Sequence, residues 1–424
     1  MIGLLFLVFF VLLLMGFPIA YALAISCISY LLMADVSLVV VPLKMYGGMD
    51  AFVLLSIPGF ILAGNIMSAS GMTDRIVDFS NKIVGHIRGG LSLANIGASM
   101  IFAGISGTAV ADSASLGSIL IPAMKKEGYD ADFACAVTSS SSTIGPIIPP
   151  SMPMIIVGSL TGLSIGKLFL AGALPGLLLA IGYMLVSYMI SLKKQHPISS
   201  RASLRAMGKS FVGAFWSLVM TLLILFGIIG GVFTPTEASV VAVLYAVLIG
   251  SLVYRSLRWR QLLDVLKNTV STTSSLMLLV GFANLFGWIL IIEEVPQALA
   301  GGLMEVTSNK WLLLILINLV LLIVGTFMET LAALLILFPI LLQVATSVGV
   351  DPIQFAVLAV LNLIIGLNTP PVGVCLFVVS SIGKVPVDRV ARAGLPFLLV
   401  SLVVLLMVTF VPFISLWLPG LFMD

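Results

Sequence analysis

Long apolar runs separated by short polar joints organise this chain of 424 residues. A membrane-crossing helix needs about 20 mostly apolar residues. On that measure ten crossings are predicted, near 2–15, 18–41, 51–70, 131–162, 168–192, 211–232, 238–254, 265–292, 352–383 and 394–418. Two other stretches are interrupted. Residues 91–124 break at GISGT, positions 104–108, and residues 311–342 break near Gly325 and Thr326. Each arm has about 15 residues, or roughly 22 Å of helix, which is short for a full span. Both stretches therefore read as re-entrant hairpins that enter and leave on one side. Between 73 and 88, Ile76, Val77, Phe79, Ile83, Val84 and Ile87 recur near helical spacing among Asp and basic residues. That pattern predicts an amphipathic helix at the membrane surface.

Composition narrows the function. Hydrophobic residues make up 60% of the chain and charged residues 9%, against about 25% charged in soluble domains. A soluble enzyme, a disordered chain and a nucleic-acid binder are excluded, and a net charge of +3 supplies no basic patch for phosphate backbones. With the N-terminus outside, 17 of the 20 basic residues fall inside, and only Lys44, Lys167 and Lys310 fall outside. That bias is the positive-inside pattern, and it puts both termini on the outer side. Cys27, Cys135 and Cys375 are far apart in apolar segments and read as small core hydrophobes. His86 and His196 lie in polar basic stretches, so a histidine-based metal site is not expected. The apolar N-terminus lacks the basic start of a secretory signal and reads as a first membrane helix.

The polar stretch 193–210, predicted to be a cytoplasmic linker, separates two halves, 1–192 and 211–424, that repeat each other. Gly145, Pro149 and Pro150 recur 221 residues later as Gly366, Pro370 and Pro371, and Gly107 and Thr108 recur 218 later as Gly325 and Thr326. Asp112 and Pro122 recur 217 later as Glu329 and Pro339, and SIGK at 164–167 recurs at 381–384. Five crossings per half would turn the second copy upside down. The flanking charges agree, with Arg88, Lys125 and Lys126 beside the first hairpin and Glu305, Lys310 and Asp351 beside the second. The predicted fold is an all-α polytopic membrane protein of two inverted-topology repeats, each with a re-entrant hairpin and a discontinuous helix. Such repeats typify secondary transporters, whose substrates bind near the midplane at broken helices.

The chemistry concentrates at four breaks. Two are the hairpin tips, and two are the stretches SSSSTIGPIIPP at 139–150 and GLNTPP at 366–371. Proline frees an upstream carbonyl, glycine permits close backbone approach, and hydroxyls add further oxygens. Neutral oxygens of this kind suit a weakly charged hard cation such as Na⁺, while half-helix N-termini favour an anion. The plainer alternative is four kinks in packed small-residue helices. Asp112 and Glu329 are the only acidic residues deep in apolar segments. At roughly 2.5–3.5 kcal/mol for a charge at bilayer depth, each needs a partner or a role. Coupling to a proton or cation is one reading, and a hydrogen-bonded residue that fixes a hairpin arm is the other.

GISG at 104–107 matches the short pattern around the serine of rhomboid-type intramembrane proteases. Neither histidine is placed to act as its general base. No phosphate-binding loop of the GxxxxGK[ST] type appears, which fits gradient-driven transport.

Six motifs together resemble a known family. They are PGFILAG at 58–64, GTAVAD at 107–112, IGPIIPPS at 144–151, GVFTPTEA at 231–238, GTFMET at 325–330 and LNTPPVG at 367–373. Over essentially all 424 residues the chain resembles the large membrane subunit (M subunit, DctM-like) of tripartite ATP-independent periplasmic (TRAP) transporters, in the ion transporter superfamily. The resemblance implies an elevator mechanism in which 91–162 and 311–383 form a mobile transport domain. It also implies a sodium gradient as energy source, and an organic acid such as a C4-dicarboxylate or a sialic acid as cargo. Its implied partners in the bacterial inner membrane system are a small four-helix membrane subunit (Q subunit) and a periplasmic substrate-binding protein (P subunit). Because Met1 directly precedes the first helix, the small subunit is expected as a separate chain. On this reading Ser106, Gly107, Thr143 and Gly145 form one Na⁺ site, and Gly325, Thr326, Gly366 and Thr369 form its mirror. Thr108 and Asn368 face the substrate. The alternatives are a stand-alone carrier of the same superfamily and the intramembrane serine protease.

Overall fold

The computed structural model describes residues 2–198, 201–295, 298, 309–370 and 372–423, without the side chains of 14 and 103–106. Among these residues the regular elements are all helical, as so apolar a chain requires where lipid cannot satisfy a backbone group. The chain begins with α1 (Ile2–Leu14), α2 (Ile19–Met33), α3 (Val40–Met49), a short 3-10 turn, α4 (Ser56–Ala69) and α5 (Met72–Val84). Next come α6 (Gly90–Ser106), α7 (Ala109–Lys126), α8 (Ala131–Ser142), α9 (Met152–Thr161) and α10 (Ile165–Lys193). Beyond the linker are α11 (Leu204–Ile229), α12 (Pro235–Leu248) and α13 (Trp259–Ile292). The rest is α14 (Lys310–Phe327), α15 (Thr330–Ser347), α16 (Pro352–Gly366), α17 (Val374–Gly383), α18 (Val387–Phe410) and α19 (Phe413–Phe422). Eight helices among the described residues are long and apolar enough to cross a membrane, so this is a multi-pass membrane protein.

Several boundaries differ from the sequence expectation. The run 18–41 ends early because Asp35 takes a left-handed conformation (φ 54°), and α3 starts afresh. The run 394–418 becomes α18 and α19, parted at Val411 and Pro412. The hairpin arms are longer than expected: α14 and α15 have 18 residues each, roughly 27 Å, and both reach spanning length. The second hairpin also breaks later. Gly325 and Thr326 lie inside α14, and the chain turns at Met328 and Glu329.

That shift changes which residues correspond. Helices α7 and α8 start 221 residues before α15 and α16. Gly128 (φ 97°) and Gly349 (φ 76°) occupy the same left-handed turns at that spacing, each just before an aspartate at a helix N-cap. At 221, the counterpart of Glu329 is Thr108, and both cap the helix that leaves a hairpin tip. Asp112 instead lies inside the first turn of α7, so it does not share a place with Glu329. SIGK fails likewise, since Ser164 caps α10 whereas Ser381 lies within α17.

Two groups of helices stand out, joined to each other where α5 packs on α6 and α13 packs on α15. Helix α4 packs on α12 and α13, with α2 and α3 also on α13. In the other group the halves interlock: α17 packs on α7 and α8, while α9 packs on α15 and α16. Buried amides and hydroxyls join these helices. Asn95 Nδ2 donates to Thr138 Oγ1 at 2.7 Å, and Ser99 Oγ donates to Ser141 Oγ at 2.9 Å. In the second half Asn362 Nδ2 donates to Asn318 Oδ1 at 2.7 Å. The amphipathic α5 lies on protein as well as at the surface. Its Met72 and Ile76 are buried, Phe79 stacks near Phe211 of α11 (5.5 Å), and Ser210 donates to Asp78.

The start of the linker is anchored to the turn before α8. Lys194 Nζ lies 2.6 Å from Asp130 Oδ2. His196 sits 4.6 and 4.8 Å from the ring centres of Tyr129 and Phe133, with Nδ1 3.0 Å from Ser191 Oγ. Burial holds the His196 imidazole below its ordinary pKa, and the Lys194 hydrogen bond holds the Asp130 carboxyl below the usual carboxylate range.

Candidate functional site

In each half the interrupted hairpin packs on the interrupted helix, α6 and α7 on α8 and α14 and α15 on α16. In the first half Gly107 turns the tip in a left-handed conformation (φ 63°). A Cβ there would fall 2.9 Å from Met152 Cγ, so the tip abuts the start of α9. The helix starts are capped by Thr108, whose Oγ1 accepts from Ala111 N at 3.3 Å, and by Ser151, whose Oγ accepts from Met154 N at 3.3 Å. Asp112 is fully buried and its carboxylate lies against Gly145: a Cβ on Gly145 would sit 2.5 Å from Asp112 Oδ2. Gly145 and the Asp112 carboxylate thus lie against each other, while Gly107 lies against Met152. The side chain of Ser106 lies outside the described residues. Thr143 points elsewhere. Its hydroxyl donates to Ser140 O at 2.6 Å and lies 3.1 Å from Tyr183 OH of α10, which in turn is 2.7 Å from Ser401 Oγ of α18.

The second junction is tighter. A Cβ on Gly366 would lie 2.3 Å from Gly325 C and 2.6 Å from Gly325 O. The two backbones therefore touch where α14 and α16 end. Gly373 N donates to Thr326 O at 3.2 Å, closing the tip onto the start of α17. Thr326 Oγ1 donates to Ile323 O at 2.7 Å, and Thr369 Oγ1 donates to Ile365 O at 2.9 Å. A hydroxyl whose proton is spent on a helix carbonyl turns lone pairs outward, which is the orientation a cation needs. Thr330, next to the tip, has a buried Oγ1 with no hydrogen-bond partner. Glu329 caps α15, its Oε2 accepting from Leu331 N at 3.1 Å and Ala332 N at 3.3 Å. This arrangement fits the structural role for Glu329, since a carboxylate at a helix start is stabilised by the helix dipole.

Asn368 bridges the halves and is half-buried. Its Nδ2 donates to Ser139 O at 2.8 Å, and Ser139 Oγ donates back to its Oδ1. Nearby, Cys375 of α17 is fully buried, and α17 packs on α7, the helix that carries Asp112 and Ser113. Ser113 was not singled out from sequence, Cys375 was read only as a small core hydrophobe, and Ser139 stood at the start of the break at 139–150. The run of four serines at 139–142 was the available signal for Ser139.

Two cavities lie between the helix groups. One of about 180 Å³ is lined by Asn65, Ser68, Thr108, Ser115, Thr272 and apolar neighbours, and no charged residue borders it. Thr108 thus borders this cavity. The polar run STTSS at 271–275, inside an apolar helix, was the missed signal for Thr272. A second cavity of about 380 Å³ lies farther along the same face of α13, bordered by Val280, Asn284 and Trp288. Facing them across it are Ser159 of α9 and Gln343 of α15.

Comparison with known proteins agrees with this architecture. The family profile described as "Tripartite ATP-independent periplasmic transporter, DctM component" matches residues 6–414. The chain is 43% identical over 409 residues to the sialic acid TRAP transporter large permease protein SiaM of Vibrio cholerae, covering 96% of each chain. It is 41% identical over 395 residues to the C4-dicarboxylate TRAP transporter large permease protein DctM of Pseudomonas aeruginosa, covering 93% of this chain and 92% of that one. The crystal structure of the Alcanivorax borkumensis YdaH transporter shares the fold, with TM-score 0.62 at 15% identity over 89% of this chain and 87% of that one.

Proposed function

The chain belongs to the DctM-component family of tripartite ATP-independent periplasmic transporters, and from that premise we propose that it imports an organic acid across the bacterial inner membrane at the expense of a sodium gradient. Its relatives are transport permeases, not enzymes, which removes the protease reading of Ser106. The cargo class follows from the sialic acid and C4-dicarboxylate named for those relatives. A large permease implies a smaller one, so the proposed partners are a separate small membrane subunit and a periplasmic binding protein. Both termini are assigned to the periplasmic side by the charge bias.

The observation that carries the sodium assignment is the second junction. Gly325 and Gly366 bring the backbones of two helix ends into contact, and Thr326 and Thr369 have their hydroxyl protons turned away. The first junction offers Gly107, Gly145 and the adjacent Asp112 carboxylate, with the Thr143 hydroxyl engaged by Tyr183. The interlocked hairpins and broken helices are the group that would move as an elevator, and the group around α4, α12 and α13 would stay fixed. The two-way bond between Ser139 and Asn368 supports movement of both halves as one body.

The test is thermal stability of the purified chain with its small subunit, titrated with NaCl against KCl at constant ionic strength. A ligand that binds only the folded state stabilises it by RT ln(1 + [L]/Kd), about 2.7 kcal/mol at a hundredfold excess over Kd. A saturating rise specific to sodium is expected. Superimposable curves in the two salts would overturn the sodium assignment.

A further inference from the structure

We infer that the 380 Å³ cavity between α3, α13, α9 and α15 is an outer capture site for the cargo's carboxylate, with the Lys44 ammonium as its counter-charge. The inference rests on the proposed import of an organic acid and adds a second, separate place where that acid binds.

Lys44 is held there by its surroundings. Gly48 lets α3 lie directly on α13, since a Cβ at that position would fall 2.4 Å from Asn284 Cβ. Asn284 Nδ2 donates to Lys44 O at 2.6 Å and fixes the backbone. The ammonium then rests over the Trp288 ring, 5.1 Å from its centre. An aromatic face attracts a cation without neutralising it. Lys44 forms no ion pair among the described residues, and none of the residues lining the cavity is acidic. The other two basic residues assigned outside differ. Lys310 Nζ donates to Gly349 O at 2.8 Å, and Lys167 has a partner of its own.

Charge and size divide the two cavities between tasks. The outer one carries a net positive charge in walls built largely of Leu54, Ile156, Leu160, Ile291, Ile336 and Ile340. Low-dielectric walls around one sign of charge focus its field and concentrate counter-ions. Its volume of about 380 Å³ falls in the range of small-molecule sites, roughly 300–1,000 Å³. The inner cavity, at about 180 Å³, falls below that range and offers only hydroxyls and an amide. An organic acid is therefore caught by charge in the outer cavity and enters the inner one only when the helix groups shift. Part of the outer wall belongs to α9 and α15, so the same shift changes the capture site.

The test uses Trp288 as the reporter. Pairing the ammonium with a carboxylate alters its position over the indole and changes tryptophan emission. The purified chain with its small subunit is titrated in potassium buffer with succinate, with N-acetylneuraminate, and with succinamide as the uncharged control. A saturable change with at least one of the acids and none with succinamide is expected. It should be absent in Trp288→Phe, kept in Lys44→Arg, and about tenfold weaker in apparent affinity in Lys44→Gln. Equal affinity in wild type and Lys44→Gln overturns the inference, as does an equal response to succinamide or no response to either acid. Because sodium is left out, such a failure leaves sodium-driven transport standing. Superimposable sodium and potassium melting curves would defeat that transport reading without touching this one.

Discussion

Replacing Gly366 with alanine tests the second junction most directly. A methyl at this position would lie 2.3 Å from Gly325 C, 2.5 Å from Gly325 Cα and 2.6 Å from Gly325 O. Ordinary contact between such atoms is about 3.5–4.0 Å, so α14 and α16 must separate by roughly an ångström. The obstructing atoms are backbone, and no rotamer change relieves them. Forcing extra volume into a packed interior costs about 1–3 kcal/mol, and backbone overlap belongs at the upper end. Against this, alanine gains about 1 kcal/mol over glycine inside a helix. The net expectation is a destabilisation of about 2 kcal/mol, together with loss of the sodium-specific rise in melting temperature. Gly394 supplies the control: it lies inside α18 with nothing within 4 Å of its added Cβ. Gly394→Ala should melt at or above wild type and keep its sodium response. Thermal melting of both variants in NaCl and in KCl checks the pair. A Gly366→Ala protein as stable as Gly394→Ala, with an undiminished sodium response, would refute the close approach and the ion site built on it.

Asn368→Leu removes the 2.8 Å bond to Ser139 O and leaves a buried carbonyl unmet, which should lower stability by about 1–3 kcal/mol in detergent melts. The same loss in Ser139→Ala alone would trace it to the hydroxyl rather than the carbonyl. His196 gives a pH dependence. Burial lowers its folded pKa, so its contribution is complete above the ordinary value of about 6.5 and is lost as pH falls below it. His196→Phe, placed between Tyr129 and Phe133, should flatten the fall in melting temperature between about pH 6.5 and 5. An unchanged slope would assign that fall to other groups.

Helical runs and breaks were legible because lipid forces a simple rule on composition. Breaks at 143–151 and 367–373 stand where proline and glycine predicted them. The second hairpin tip was misplaced because its Gly and Thr resemble those at 107–108, yet glycine at 325 serves helix crossing rather than turning. The real turn is capped by Glu329, an acid doing the work that Thr108 does in the first half. Composition matched like with like and so paired Glu329 with Asp112. The Thr143 hydroxyl could not be assigned from its own segment, because its partner Tyr183 comes from α10, 40 residues away. Lys44 was visible as a rare outer charge, but its placement over Trp288 depends on Gly48 and Asn284, residues that mean nothing until α3 meets α13.

The interlocking of the halves limits how this chain can be divided. Lys125 Nζ donates to Gly383 O at 2.9 Å, Cys135 Sγ donates to Val379 O at 3.3 Å, and Asn368 is bound to Ser139. Each of these bonds joins a residue before the linker to one after it. Cutting the chain within 193–210 would leave two fragments that each carry polar groups shaped for the other, and at the buried Cys135 and Ser139 lipid offers no substitute. The fragments are therefore complements rather than modules. Neither is expected to hold its helices in place alone, and co-expression of both is the condition under which a severed protein would reassemble.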